Sequence, residues 1–116
     1  MSEVHVFASR GRFSSERELG EFIDATYTED GDRIDSLFIK EVGLSSYEPA
    51  CIEATFSTQE RELHKLLEGS SYSELWLDTV PNTDVYNSVI SVFEPNELET
   101  PQDTSLTYVG CFEYEE

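Results

Sequence analysis

Basic residues are missing from almost half of the chain. All 7 Lys and Arg residues of this 116-residue sequence lie between Arg10 and Lys65. The remaining segment, Leu66–Glu116, still holds 11 of the 25 Asp and Glu residues, so it carries −11 of the net charge of −18. A segment with this much negative charge repels nucleic acid, because a protein that binds phosphate needs a stripe of basic residues. It favours encounter with a basic protein, although an acidic protein without any basic partner would show the same charge.

Long apolar runs and a secretory leader are also missing. No apolar stretch approaches the roughly 18 residues that a membrane span requires. The first residues, Met1–Val4, lack the basic and apolar regions of a signal peptide. We therefore expect a cytoplasmic protein with no membrane partner. In that compartment Cys51 and Cys111 should stay reduced and act as small buried hydrophobes, without forming a disulfide.

Catalytic and cofactor motifs are absent as well. His5 and His64 are far apart in sequence, and neither has a Cys or His at metal-ligand spacing. There is no nucleophile elbow and no phosphate-binding loop. The acidic run Asp30–Asp35 begins like a calcium loop, but Ile34 occupies a ligand position. The sequence therefore predicts no enzyme, no cofactor and no metal. The alternative is a small cytoplasmic enzyme with a carboxylate-lined pocket, since so many acids must bring some carboxylates together.

The residues that are present indicate one small α+β domain over residues 1–116. The composition is 38% hydrophobic and 12% aromatic, enough for a core at this length. Strands are predicted at Val4–Ala8, Cys51–Phe56, Val85–Phe93 and Leu106–Tyr114. The last two are predicted to pair with each other in antiparallel fashion. We expect a roughly four-stranded, mainly antiparallel sheet, with two to four helices packed on one face.

Helices are predicted where a capping residue precedes apolar residues at helical spacing. The first should cover about 16–26, behind the capping box Ser15–Glu18. Within Asp35–Gly43 a short helix is favoured over a strand, because a serine can cap its start and a glycine its end. A second capping box, Ser57–Glu60, should open a third helix. The segment 70–83 allows a further short helix and is otherwise undetermined.

Several stretches resemble a family of bacterial immunity proteins from polymorphic-toxin systems, family 22. They are Val4-His5-Val6 leading through Phe13 to Glu18–Phe22, Ser36–Leu44 with Tyr47-Glu48, Asn87–Phe93, and Leu106–Phe112. The most specific is Ser36–Leu44, in which Phe38 and Val42 are spaced to share one helical face toward the core. The resemblance implies an inhibitor that neutralises a cognate toxin by direct contact. A nuclease is one toxin class whose basic surface would suit this charge.

The predicted partner-binding residues lie in the half of the chain without Lys or Arg. Binding energy at interfaces is concentrated on aromatic anchors with charge around them. The first choice is the acidic loop between the last two strands, although this loop could instead be a solvated linker. Trp76 could instead pack in the core. The predicted residues are Glu94, Glu97, Glu99 and Asp103, with Trp76, Asp78 and Tyr86 as secondary choices.

Overall fold

A computed structural model describes all 116 residues as eight strands and four helices. The strands are β1 (Ser2–Ser9), β2 (Thr26–Tyr27), β3 (Arg33–Ile34), β4 (Leu44–Ser46), β5 (Ile52–Glu62), β6 (Val85–Phe93), β7 (Glu97–Leu98) and β8 (Thr107–Tyr114). The helices are α1 (Glu16–Ile23), α2 (Leu37–Val42), α3 (Leu63–Leu67) and α4 (Ser73–Trp76). None of these helices is long and apolar enough to cross a membrane. The predicted α+β class is confirmed.

The main sheet has the strand order β5-β6-β1-β8, and all its neighbouring strands are antiparallel. The predicted pairing of the last two strands is wrong, because β1 lies between them and pairs with both. The physical reason is the composition of β1. Val4, Val6, Phe7 and Ala8 are at most 1% exposed, so both faces of this strand need cover. A central position supplies that cover, and the long connection after β6 crosses to the far side of β1.

Helices cover both faces of this sheet, not the single face that we expected. Alternate residues of a strand point to opposite faces, and the two apolar clusters follow that alternation. Val4 and Val6 belong to a cluster with the leucines of α3 and with Trp76 of α4. Phe7 belongs to the other cluster, with the apolar residues of α1 and α2. The sheet therefore separates two cores of similar size.

The first two helices form largely as the sequence predicts. At the start of α1 the Ser15 hydroxyl accepts a hydrogen bond from the Glu18 backbone N–H at 3.1 Å. The Glu18 carboxylate reaches back to the N–H of Ser14 instead, at 2.9 Å, and that bond lowers the pKa of Glu18. The helix ends at Ile23, earlier than predicted, because the next residues are extended. In α2, Ser36 caps the first turn as expected.

The second predicted capping box is wrong. Ser57–Glu60 lies inside β5, which continues to Glu62 as an edge strand. Its register against β6 shifts between Phe56 and Arg61, so the polar stretch is accommodated as an irregular strand and not as a helix start. The leucine stripe does form a helix, α3, whose three leucines are at most 5% exposed. Tertiary pairing therefore overrides the local capping pattern here.

Gly43 ends α2 and brings a later loop close to the helix. Its φ is +62°, a left-handed conformation that side chains rarely adopt. A Cβ at this position would lie 2.9 Å from Oγ1 of Thr100 and 3.2 Å from Cβ of Glu99. The Thr100 N–H donates to the carbonyl of Val42 at 3.0 Å. Any side chain at position 43 therefore pushes against this contact.

We expect Gly43→Ala to destabilise the protein by about 1–3 kcal/mol, from the left-handed backbone and the displaced loop together. Urea unfolding followed by circular dichroism measures this loss. Gly69→Ala is the matched control, because a Cβ added at Gly69 would meet no atom within 4 Å and the φ of this residue is not positive. Equal stability of the Gly43→Ala variant and the parent protein would contradict the role given to this turn.

Candidate functional site

One end of the main sheet collects acidic side chains. The registers place the start of β1 and β5 beside the ends of β6 and β8, since Val4 lies opposite both Phe93 and Phe112, and Ile52 opposite Val92. We call this the acidic end, and it carries Glu3, Glu53, Glu94, Glu113, Glu115 and Glu116. None of these six carboxylates takes part in an ion pair. Four of the eleven acids of the Lys/Arg-free half thus lie together with two acids from the first half of the chain.

At the opposite end of the sheet, acidic side chains are paired with an arginine. Arg10 follows β1 there, and its guanidinium pairs with Asp84 and, at 3.4 Å, with Glu60. It also donates to the carbonyl of Val85 at 2.8 Å. Asp84 is therefore the one acid of the Lys/Arg-free half that an internal base neutralises. The other ion pairs, Arg17–Glu21 and Arg33–Asp35, lie away from the main sheet and within single segments of chain.

A groove of about 720 Å³ opens beside the acidic end, on the face that α1 and α2 cover. Its lining includes Glu3 and His5 from β1 and Glu94 and Glu97 from the segment after β6. Glu94 and Glu97 are exposed, so their carboxylates are available to a partner. Two of the predicted binding residues therefore lie beside an acid from the other end of the chain.

The loop that carries these acids is held by a buried asparagine. Asn96 is 4% exposed, and its amide oxygen accepts from the Glu48 N–H at 2.7 Å. Its amide nitrogen donates to the carbonyls of Glu48 and Phe93, both at 3.0 Å. The predicted loop is also not fully irregular, since β7 within it pairs with β4. These bonds give Glu94 and Glu97 a defined position.

A second anchor fixes the far end of the same loop. The carboxylate of Glu41, on α2, accepts hydrogen bonds from the N–H of Ser105 at 2.7 Å and from the hydroxyl of Thr104 at 3.1 Å. Between the two anchors Glu99 and Asp103 are exposed. The segment that resembles the immunity family most closely thus holds the acidic loop in place. Its own Phe38 and Val42 are fully buried, which confirms their predicted orientation.

A second groove, of about 450 Å³, lies on the other face of the acidic end. Tyr72 stands at its edge, 44% exposed, with its ring 5.4 Å from that of Tyr114. Tyr72 has a left-handed backbone, with φ of 58°. Ser71 donates both its N–H and its hydroxyl to the Glu53 carboxylate, and Glu94 borders this groove as well. An exposed aromatic ring among carboxylates is the arrangement expected of a binding anchor.

The seven predicted binding residues do not form one surface. Trp76 is 0% exposed in the core with α3 and cannot touch a partner, so packing explains it. Asp78 is exposed in the turn after α4. Tyr86 lies near the opposite end of β6, with the Arg10 guanidinium 5.8 Å from its ring centre. Sequence reasoning selected the larger aromatic and missed Tyr72, four residues before it.

A mixed cluster at the acidic end was also missed. Glu3 and His5 point to the same face of β1, and Cys111 lies opposite His5 on β8. One ligand atom from each lies within 4.8 Å of the other two. Cys111 is exposed and not a buried hydrophobe as expected, whereas Cys51 is half-buried, and both are free. The alternation of side chains along β1 is enough to predict that Glu3 and His5 share a face. Cys111 lies beside them only because of the register between β8 and β1.

The protonation states in this cluster follow from burial and charge. Partial burial lowers the pKa of His5, so its neutral form is favoured. Cys111 is exposed as a residue, but partial desolvation of its thiol, together with the hydrogen bond and charge of Glu3, raises the pKa of Cys111 to about 12, so the thiol keeps its proton. That thiol donates to a Glu3 carboxylate oxygen at 3.4 Å. The Tyr108 hydroxyl lies 2.9 Å from Nδ1 of His5.

Comparison with known proteins assigns the family. The model of a protein family described as Immunity protein 22 matches residues 4–115. The match includes β1, the motif around α2, the acidic loop and β8. No curated protein and no solved structure shows significant similarity to the chain. Because the family model covers nearly every residue, the chain belongs to the Immunity protein 22 family.

Proposed function

We propose that this immunity protein neutralises a cognate toxin by binding a basic surface of the toxin directly with its acidic end and the adjoining acidic loop. The observation that carries this proposal is the set of six carboxylates at the acidic end, none of them in an ion pair. Glu97 lies in the same groove as Glu3 and Glu94, and Glu99 and Asp103 follow it in the loop, which continues toward the opposite end of the sheet. A carboxylate that is not paired with an internal base keeps its attraction for an external cation.

The geometry suits fast and specific association. Charge complementarity raises the association rate and disfavours other partners. The two anchors, Asn96 and Glu41, hold the loop before any partner arrives, so less ordering entropy is lost on binding. A nuclease presents Lys and Arg to its phosphate substrate, and nucleases are therefore the toxin class that this surface fits best. Tyr72 supplies an aromatic anchor beside the charges.

We infer that the protein acts in the bacterial cytoplasm, where a toxin would otherwise reach its target. Cys51 and Cys111 are free thiols, which suits a reducing compartment. The inferred partner is another protein, because an acidic surface of this kind repels both nucleic acid and anionic lipid headgroups.

The alternative is enzymatic inactivation, and one observation favours it. The 720 Å³ groove is lined by the carboxylates of Glu3, Glu94 and Glu97 together with His5. However, the one nucleophile nearby, Cys111, has a pKa of about 12 and is held as a thiol, whereas thiol catalysis requires the thiolate. His5 lies opposite Cys111, but the thiol donates to Glu3 and Nδ1 of His5 contacts Tyr108, so no hydrogen bond orients a base against the nucleophile as covalent catalysis requires. We therefore favour inhibition without turnover.

Stoichiometry separates the two mechanisms. Titrating a fixed concentration of the cognate toxin domain with this protein should abolish toxin activity at one molar equivalent, and the two proteins should elute together in size-exclusion chromatography. A catalytic inactivator would act below one equivalent, with an inhibition that grows over time. Full inhibition at a tenth of an equivalent, or inhibition without a complex, would overturn the proposal.

A further inference from the structure

The cluster of Glu3, His5 and Cys111 offers three different metal-ligating atoms in one place. A carboxylate oxygen, an imidazole nitrogen and a thiol sulfur all lie within 4.8 Å of one another. They come from two neighbouring strands, with His5 and Cys111 directly opposite each other. Neighbouring strands hold opposed residues at a fixed separation, so the distance between His5 and Cys111 does not depend on a flexible loop.

The distances are close to those of a tetrahedral zinc site. Zinc binds sulfur at about 2.3 Å and nitrogen or oxygen at about 2.0–2.2 Å, which puts ligand atoms roughly 3.3–3.6 Å apart in a tetrahedron. The Cys111 sulfur already lies 3.4 Å from the Glu3 carboxylate oxygen. The remaining separations, which involve His5, are at most 4.8 Å, so closing them requires side-chain movements of about 1 Å. Mixed thiolate, imidazole and carboxylate donors suit zinc better than calcium or magnesium.

The surroundings supply two further features of metal sites. A ligating histidine usually donates its other ring nitrogen to an orienting group, and the Tyr108 hydroxyl lies 2.9 Å from Nδ1 of His5. That contact leaves Nε2 for an ion. The second feature is charge, because Glu94 and Glu113 lie close enough to disfavour a negative charge on Cys111. The same field favours a divalent cation.

We propose that Glu3, His5 and Cys111 form a binding site for a divalent transition metal ion, zinc by chemistry, that links β1 to the edge strand β8. Binding replaces the thiol proton by the metal, and the proton leaves to solvent. Three protein ligands leave the fourth tetrahedral position open. Two of the three ligands, Glu3 and His5, also line the larger groove. Glu3 belongs both to this site and to the acidic end, but metal binding is measured without a toxin, so either proposal can fail without the other.

Cobalt(II) is the probe for this site, because its absorption reports both geometry and sulfur ligation. Protein without a histidine tag, kept reduced with a phosphine, should bind one equivalent of cobalt. Binding should produce the intense visible bands of tetrahedral cobalt and a thiolate charge-transfer band in the near ultraviolet. Zinc should then displace the cobalt, and it should raise the midpoint of thermal unfolding by several degrees when in large excess over its dissociation constant.

Variants identify the ligands, and the second cysteine is the control. Cys111→Ser should abolish the charge-transfer band, and Glu3→Gln and His5→Gln should each weaken binding at least tenfold. Cys51→Ser should keep the full spectrum, since Cys51 is outside the cluster. If Glu3→Gln or His5→Gln misfolds, comparing the parent protein with Cys111→Ser still tests the site, because Cys111 is exposed. Absence of a charge-transfer band in the parent protein, or equal bands in both cysteine variants, would overturn the proposal.

Discussion

Removing the four charges of the acidic loop should slow association with the toxin at least about tenfold at low salt, since steering by complementary charge changes association rates by about 10–1,000-fold. The variant combines Glu94→Gln, Glu97→Gln, Glu99→Gln and Asp103→Asn. None of these side chains accepts a hydrogen bond or joins an ion pair within the protein, so the substitutions should leave the fold intact. Stopped-flow binding at two salt concentrations measures the rate, and circular dichroism confirms folding.

The control removes the same number of charges elsewhere. Glu16→Gln, Glu29→Gln, Asp30→Asn and Asp32→Asn change four exposed side chains. Other acids of α1 are unsuitable, because Glu18 caps the helix and Glu21 pairs with Arg17. We expect the control to lose less rate and to keep more of the salt dependence. A larger loss in the control would place the interface near the start of α1 or the turn between β2 and β3. No change in either variant, with no salt effect, would exclude electrostatic steering.

Local pattern predicted the elements of this fold well. The strand Val85–Phe93 has the bounds predicted for it, because six of its nine residues have β-branched or aromatic side chains, which leaves few alternatives. The short helix α2 was predicted from Ser36 and Gly43, and both caps form. In each case the residues that determine the structure lie within a few positions of one another, so a local sequence pattern is enough to predict it.

Pairing between distant strands could not be predicted in the same way. By composition any of the strands could have paired with any other, and the central place of β1 agrees with the burial of Val4, Val6 and Phe7, which lie on both of its faces. The second capping box shows the same limit, since Ser57–Glu60 satisfies a local rule but lies within an edge strand. Long-range registers decide these outcomes, and a single sequence does not display them.

The candidate site depends on those registers even more strongly. The excess of acid was visible in the sequence, but its concentration at one end of the sheet follows from strand directions. Cys111 joins Glu3 and His5 only because β8 pairs with β1. Tyr72 packs against Tyr114, which lies 42 positions later in the numbering, with their ring centres 5.4 Å apart. The composition therefore showed the excess of acid, and the topology determined which of these residues lie together.

Trp76→Ala should cost about 3–5 kcal/mol of unfolding free energy, the usual loss for a fully buried large aromatic. Trp76 is 0% exposed, and its indole N–H donates to the carbonyl of Ser71 at 3.0 Å. Its ring packs edge-on against Phe93, with centroids 6.2 Å apart. The truncation would leave a cavity between α4 and the sheet. Urea unfolding measures the loss, and Trp76→Phe should lose less because it retains most of the volume.

Tyr72→Ala is the matched substitution, because Tyr72 belongs to the same segment but lies at the surface. We expect it to change unfolding free energy by no more than about 1 kcal/mol and to weaken toxin binding by about 2 kcal/mol or more, as for an aromatic anchor. The two aromatics should therefore separate stability from binding. If Trp76→Ala kept its stability and lost affinity, Trp76 would have to turn outward in the complex. If Tyr72→Ala bound normally, the acidic loop alone would have to supply the contact.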